Sequence, residues 1–170
     1  YGDYYAWGET STKSEYTVEN SLTLHESMSD ISGNITYDVA RMKWGGGWRM
    51  PTRDEIKELC EKCSWEVTTV NGIRGYKVTG PNGNSIFLPV TGYYRVTSLI
   101  EPTIGVYWSS SLDYGNAEQI WVYALLFNSS DSGTWYVCSR NTGCPIRPIY
   151  SAPSTPEPEI PTELYMIGDF

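Results

Sequence analysis

The chain of 170 residues contains one histidine, His25. A metal site built on several imidazoles is therefore excluded, and any Ser-His-Asp or Cys-His arrangement would have to use that residue. His25 lies in the polar run TLHESMSD and reads as a surface side chain. Basic residues are also scarce: 12 Lys+Arg stand against 20 Asp+Glu, a formal net charge of −8. Nucleic-acid backbones and anionic membranes are gripped by clustered lysine and arginine, so neither a nucleic-acid partner nor membrane contact by this chain itself is expected. No apolar run approaches the roughly 18 residues of a membrane span. Charged residues make up only 19% of the chain while aromatics make up 14%, with 7 Trp and 14 Tyr. Disordered chains show the reverse balance, so the composition implies a packed, turn-rich domain with aromatic side chains left over for its surface. The sequence starts at Tyr1 without an initiator Met and stops at Phe170 in mid-pattern, which reads as a piece of a longer protein.

A compositional break falls near residue 151. SAPSTPEPEIP (151–161) carries four of the ten prolines and predicts an extended, semi-rigid linker. TELYMIGDF (162–170) alternates as a strand should and reads as the truncated first strand of a following domain, docked over 163–169 on a sheet edge, in cis or in a strand-mediated dimer. Residues 1–150 then form one domain. Its first 35 residues are polar and carry no clear periodicity. TYDVARMKW predicts a short helix stopped by Gly45, with Ala40 and Trp44 stacked at i, i+4. A second helix is marked by a Thr52-x-x-Glu55 capping box, a Pro51–Ile56 staple and the stripe Ile56, Leu59, Cys60, Cys63. From Trp65 the period becomes strand-like. WEVTTV and IRGYKV flank Asn71-Gly72, a hairpin signal. SIFLPV, GVYWSS, IWVYALLF, TWYVCS and CPIRPIY follow, and the run Ile120–Phe127, apolar on both faces, predicts a central strand. Two short helices followed by twisted antiparallel sheets give an α+β fold class.

Few groups present themselves for chemistry. Cys60-x-x-Cys63 and the pair Cys138, Cys144 supply four thiols, but the second pair lacks zinc-knuckle spacing, so Cys60 and Cys63 read as small core residues without metal. An exported domain would permit one disulfide, between the Cys63 and Cys144 regions. Gly45-Gly46-Gly47 has no following Lys-Ser/Thr and reads as a tight turn, not a phosphate loop. Asp54 and Glu55 suit the first turn of a helix, and Glu58 and Glu61 its solvated face. No catalytic residue and no cofactor is expected. The positive signal is the stretch Asp113–Thr142, rich in Tyr, Trp, Asn, Ser and Arg. Tyr114, Asn116, Trp135, Tyr136, Arg140 and Asn141 combine rigid contact area with adaptable hydrogen bonding, as in a binding surface, and aromatic faces suit the C–H side of a sugar ring. Trp121, Tyr123 and Phe127 of the same stretch read as core. Trp135 and Tyr136 are adjacent in one strand, so at least one must point outward.

Six segments occur in a recognisable order: GDYYAWGET (2–10), WGGGWRMPTRDEIKEL (44–59), the Cys-x-Trp of Cys63 and Trp65, GNSIFLPVTGYY (83–94), YWSSS (107–111) and GCPIRPI (143–149). Together they resemble the Fibrobacter succinogenes major paralogous domain family, found in surface proteins of gut Bacteroidetes. The resemblance implies a C-type-lectin-like fold, similar to that of the formylglycine-generating sulfatase-modifying factors and the variable proteins of diversity-generating retroelements. In the latter the segment matching Asp113–Thr142 carries the variable binding surface. Members of the family usually have a further first strand before the GDYYAWGE motif. Its absence here implies that CPIRPIY lacks a partner. PTELYMIGDF resembles the opening strand of starch-binding domains in SusE/SusF-type outer-membrane lipoproteins. The Cys138, Cys144 pair is similar to the paired cysteines of the formylglycine-generating enzymes, but no other part of that site is present. C-type lectins hold calcium with a Glu-Pro-Asn loop and a Trp-Asn-Asp motif. Here Glu101-Pro102 is followed by Thr103, and YWSSS has no Asn-Asp, so a hard cation lacks its oxygen set. The expected protein is thus a calcium-independent, non-catalytic binding module of a bacterial surface lipoprotein, anchored in the outer membrane outside this chain. Its expected ligand is a glycan or, on the same face, a surface protein.

Overall fold

A computed structural model describes residues 2–115, 118–130 and 132–152. The linker beyond Ala152, the tail strand expected over 163–169 and Asn116 lie outside the described residues. The elements run α1 (Val39–Trp44), β1 (Trp48–Arg49), α2 (Arg53–Lys62), β2 (Ser64–Val70), β3 (Ile73–Thr79), β4 (Ser85–Pro89), β5 (Tyr93–Arg95), β6 (Ser98–Ile100), β7 (Gly105–Leu112), β8 (Trp121–Phe127), β9 (Thr134–Ser139) and β10 (Ile149–Tyr150). Four small antiparallel sheets result: β1-β10, β2-β3-β4, β5-β6 and β7-β8-β9. The molecule is α+β, with two helices preceding most of the strands.

Local chemistry sets both helices. Asp38 caps α1, its carboxylate accepting from the Ala40 and Arg41 amides, and Gly45 ends the helix at φ 63°. The helix buries Val39 and Ala40, whereas Trp44 is exposed instead of extending the apolar stripe. On α2 the capping box forms: Glu55 N donates to Thr52 Oγ1 at 3.3 Å, and Thr52 N donates to Glu55 Oε2 at 2.8 Å. Arg49 then grips Glu55 with two nitrogens, at 2.8 and 2.6 Å, and donates from Nε to Ser151 at 2.9 Å. Partial burial opposes the charge on Glu55, but Arg49 and the Thr52 amide outweigh it and hold the carboxyl below its ordinary pKa.

The Asn71-Gly72 turn takes φ of 51° and 80°, as a two-residue hairpin loop requires, and joins β2 to β3 in register Val70↔Ile73. β8 is the central strand of its sheet, and its two faces serve two cores. Val122 and Ala124 pack with Trp7, Ile31, Met50, Trp108, Cys138 and Cys144. Leu125 and Phe127 pack with Ile56, Tyr76, Leu88 and Tyr107, against which Leu59, Cys60, Cys63 and Trp65 lie. Gly105 pairs with Phe127, whose ring lies over the space a glycine alone leaves open. All four cysteines are free. The disulfide that an exported domain would permit between the Cys63 and Cys144 regions is not formed: Cys63 packs against the second core and Cys144 belongs to the first. Burial and then the neighbouring Cys138 thiol push the Cys144 thiol well above its ordinary pKa. Burial pushes Cys60 up to about 11, so it is not a nucleophile at neutral pH.

Residues 2–37, which show no periodicity, are loops that nevertheless contribute to the first core. Trp7 Nε1 donates to the Ser109 carbonyl at 2.9 Å and Trp108 Nε1 to the Tyr5 carbonyl at 2.8 Å, so two indoles lock GDYYAWGET against YWSSS. The terminal run has partners within the described chain, contrary to the edge expected from a missing first strand. Tyr5 and Cys144 exchange backbone hydrogen bonds at 3.0 and 3.1 Å, Trp108 N donates to Pro145 O, and β10 pairs with β1.

Candidate functional site

The six expected surface residues do not form one site. Alternation along β9 sends Trp135 and Tyr136 to opposite faces, and both are exposed, by 47% and 52%. Trp135 lies against Tyr123, ring centroids 5.8 Å apart, beside the cleft that Tyr114 lines. Tyr136 instead lines a separate groove with Tyr93, Arg95, Glu101 and Trp121. Asn141 lines a third, with Tyr16, Arg95 and Val96. Arg140 is a correction: it is 0% exposed and serves the core. Its guanidinium donates to the carbonyls of Thr23 and Glu26 and sits 5.0 Å from the Trp7 ring centroid, pinning the N-terminal loops. Asn116 lies outside the described residues. Among the three aromatics expected in the core, only Phe127 is buried there. Trp121 is exposed and Tyr123 is half-buried on the cleft wall.

The cleft has a volume of about 520 Å³ and is open to solvent. Four pieces of chain build it, one of them β8, which brings Tyr123. The N-terminus of α2 brings Thr52, Arg53 and Asp54. The end of β7 brings Ser111, Leu112 and Asp113, followed by Tyr114. Here the pairing of β7 with β8 slips between Trp108 and Leu112. Such an irregularity re-aims side chains, and two serines make bonds in place of the ladder: Ser109 Oγ donates to Tyr123 O at 2.6 Å, and the Ser110 amide to Pro51 O at 2.8 Å. The fourth piece is Asp30, whose carboxylate accepts from Ser110 Oγ at 2.9 and Ser111 Oγ at 2.5 Å.

Arg53 is the centre of this arrangement. Its guanidinium carbon lies 4.3 Å from the Tyr123 ring centroid and 5.5 Å from that of Trp135. Its amide donates to Ser111 Oγ at 3.0 Å, and its buried Nε has no hydrogen-bond partner among the described residues. Tyr123 donates its hydroxyl to Asp113 Oδ1 at 3.1 Å. Burial, and then the Asp113 carboxylate, raise the phenol's pKa above its ordinary value, which keeps it a neutral donor. Asp113 also accepts from the Gly115 amide at 3.0 Å, which fixes the turn presenting Tyr114, 62% exposed. The cleft thus offers aromatic faces, one cation over Tyr123 and near Trp135, and carboxylates and hydroxyls at its walls. Among the described residues no group of three or more His, Cys, Asp or Glu is placed to hold a metal ion. Sequence reasoning missed Asp30, Arg53 and Asp54, and it placed Tyr123 in the core. Arg53 is separated from its two aromatic partners by 70 or more residues, so no local pattern marks it.

A second exposed aromatic cluster stands apart from the six residues. Trp44, Trp48 and Tyr150 form a row with centroids 6.1 and 5.4 Å apart, flanked by Gly45 and Gly46, beside which there is open space. Compared with family models, curated proteins and solved structures, the chain matches none.

Proposed function

We propose that this protein is a non-catalytic, C-type-lectin-like binding module that recognises carbohydrate in the cleft between α2 and the end of β7. The observation that carries the reading is the meeting of Tyr114 and Tyr123 with Arg53 and the carboxylates around one open cavity of about 520 Å³, with Trp135 beside it against Arg53 and Tyr123. Rings stack on the C–H faces of sugars, while fixed acceptors and donors read the hydroxyls and so confer specificity. The family resemblance supports the same reading, and with it a place on the bacterial surface as part of a lipoprotein. No helix of the described chain is long and apolar enough to cross a membrane. Two of the four thiols, Cys60 and Cys144, are shifted toward the neutral form by burial.

The test is a glycan array probed with the purified chain and with Trp135→Ala. The expected result is binding to a restricted set of glycans, reduced roughly tenfold or more in the variant, because stacking on one aromatic ring contributes about 1–3 kcal/mol to such recognition. Binding is expected to be unchanged by EDTA, since the calcium oxygens are missing at Glu101-Pro102-Thr103. Loss of binding on chelation would overturn the calcium-independent reading.

A second reading, a protein-binding or adhesion module, is favoured by the row Trp44–Trp48–Tyr150, since large exposed aromatics are enriched at protein interfaces. An array with no glycan hits, together with capture of a defined surface protein that Trp48→Ala abolishes, would establish it in place of the first.

A further inference from the structure

The charges around the cleft differ from those of a site for acidic sugars. Three carboxylates line it, Asp30, Asp54 and Asp113, against one cation, Arg53. They come from three separate segments: the loop before α1, the first turn of α2 and the turn after β7. An anion entering the cleft therefore meets carboxylates from three of the chain segments that line it. The positive charge is also poorly placed to offset them. Arg53 lies over the Tyr123 ring and near Trp135, so the ring faces already attract its guanidinium. The α2 N-terminus favours anions, but its capping box uses the Glu55 amide, Ser111 takes the Arg53 amide, and Asp54 stands in the same first turn. The whole chain adds a net charge of −8, which repels anions at longer range.

We infer that the cleft selects among glycans by charge, taking neutral and amino sugars and excluding uronate-bearing and sulfated ones. The inference rests on the proposed carbohydrate function and adds the ligand class. In such a cleft the free carboxylate oxygens accept from sugar hydroxyls or from a protonated amine. A uronate carboxylate brings a fourth negative charge into the same cleft, where like charges facing each other are disfavoured.

The experiment compares three tetrasaccharides by titration against the purified chain: a neutral glucan, its fully deacetylated 2-amino counterpart and a polygalacturonate. At 20 mM salt the amino sugar is expected to bind at least as well as the neutral one, and the uronate about tenfold or more weaker. At 500 mM salt the difference should shrink to about threefold or less, because exposed charges are screened over a few ångströms at that ionic strength. Asp54→Asn combined with Asp113→Asn should narrow the low-salt difference in the same way. Asp54 is exposed, and asparagine at 113 retains an oxygen for the Tyr123 and Gly115 hydrogen bonds, so the fold is expected to survive, as thermal unfolding would show. Uronate binding equal to neutral binding, or discrimination unmoved by salt and by the double variant, would overturn the charge inference while leaving the carbohydrate reading intact. If none of the three classes binds, and the array gives no hits, both fall together.

Discussion

Asp38→Ala is expected to abolish folding near body temperature or to lower stability by about 4 kcal/mol or more. Asp38 is fully buried, and one carboxylate serves four backbone amides. Its Oδ1 accepts from Ala40 and Arg41 at 2.9 and 3.1 Å, and its Oδ2 from Gly33 and Met50 at 2.7 and 2.8 Å. Those four donors belong to the loop before α1, to the helix itself and to the chain leaving β1. The side chain is therefore a knot joining three segments as well as a helix cap. Truncation leaves buried N–H groups unpaired, each costing about 1–3 kcal/mol, and opens a hole between them. Asp38→Asn retains the shape but one acceptor becomes a donor facing N–H groups, so an intermediate loss is expected. Urea denaturation of both variants checks the ranking. A loss below about 1 kcal/mol for the alanine variant would show that the knot is not formed.

Arg140→Ala is the second large effect, at about 3 kcal/mol or more, and it separates a structural arginine from a binding one. The guanidinium supplies the donors for two loop carbonyls, Thr23 and Glu26, more than a hundred residues away in sequence, and lies on the Trp7 ring. Removing it leaves both carbonyls without this donor and the indole without its cation. Stability should fall in denaturant titrations. At a temperature where the variant remains folded, affinity for any glycan bound by the cleft should change less than about twofold. A strong loss of binding with stability unchanged would return Arg140 to the surface site expected from the sequence.

Why Arg140 misleads is physical. Its neighbours Ser139, Asn141 and Thr142 are turn residues of the polar kind found at strand ends, and arginine in that company ordinarily faces water. It is buried here because it donates to the loop segment 2–37, which has no periodicity of its own, at Thr23 and Glu26. The same loops hide their contribution from sequence reading: Trp7, Leu24 and Ile31 enter the cores without helix or strand to announce them. Where the signal is local, the reading succeeds. Thr52 and Glu55 cap α2, Asn71-Gly72 turns a hairpin, and Ile120–Phe127 yields a central strand because apolarity on both faces demands cover on both. The cleft is legible only in part. Tyr114 and Trp135 stand out as aromatics in a polar, turn-rich stretch. Arg53, Asp54 and Asp30 read as an ordinary helix start and a loop acid, since only the tertiary fold brings them to β7 and β8. Adjacent residues of a strand also point to opposite faces, which is why Tyr136 cannot share the cleft with Trp135.

The most direct test of the cleft is a heteronuclear NMR titration of the indole N–H signals with a glycan that binds on the array. The chain has 7 Trp, each giving one such signal, assigned by single Trp→Phe substitutions. The expected result is that Trp135 moves first and furthest, with the buried Trp7 and Trp108 unmoved and the Trp44 and Trp48 pair unchanged. Perturbation confined to Trp44 and Trp48, with Trp135 silent at saturation, would contradict the assignment of the ligand to the cleft of Arg53, Tyr123 and Tyr114.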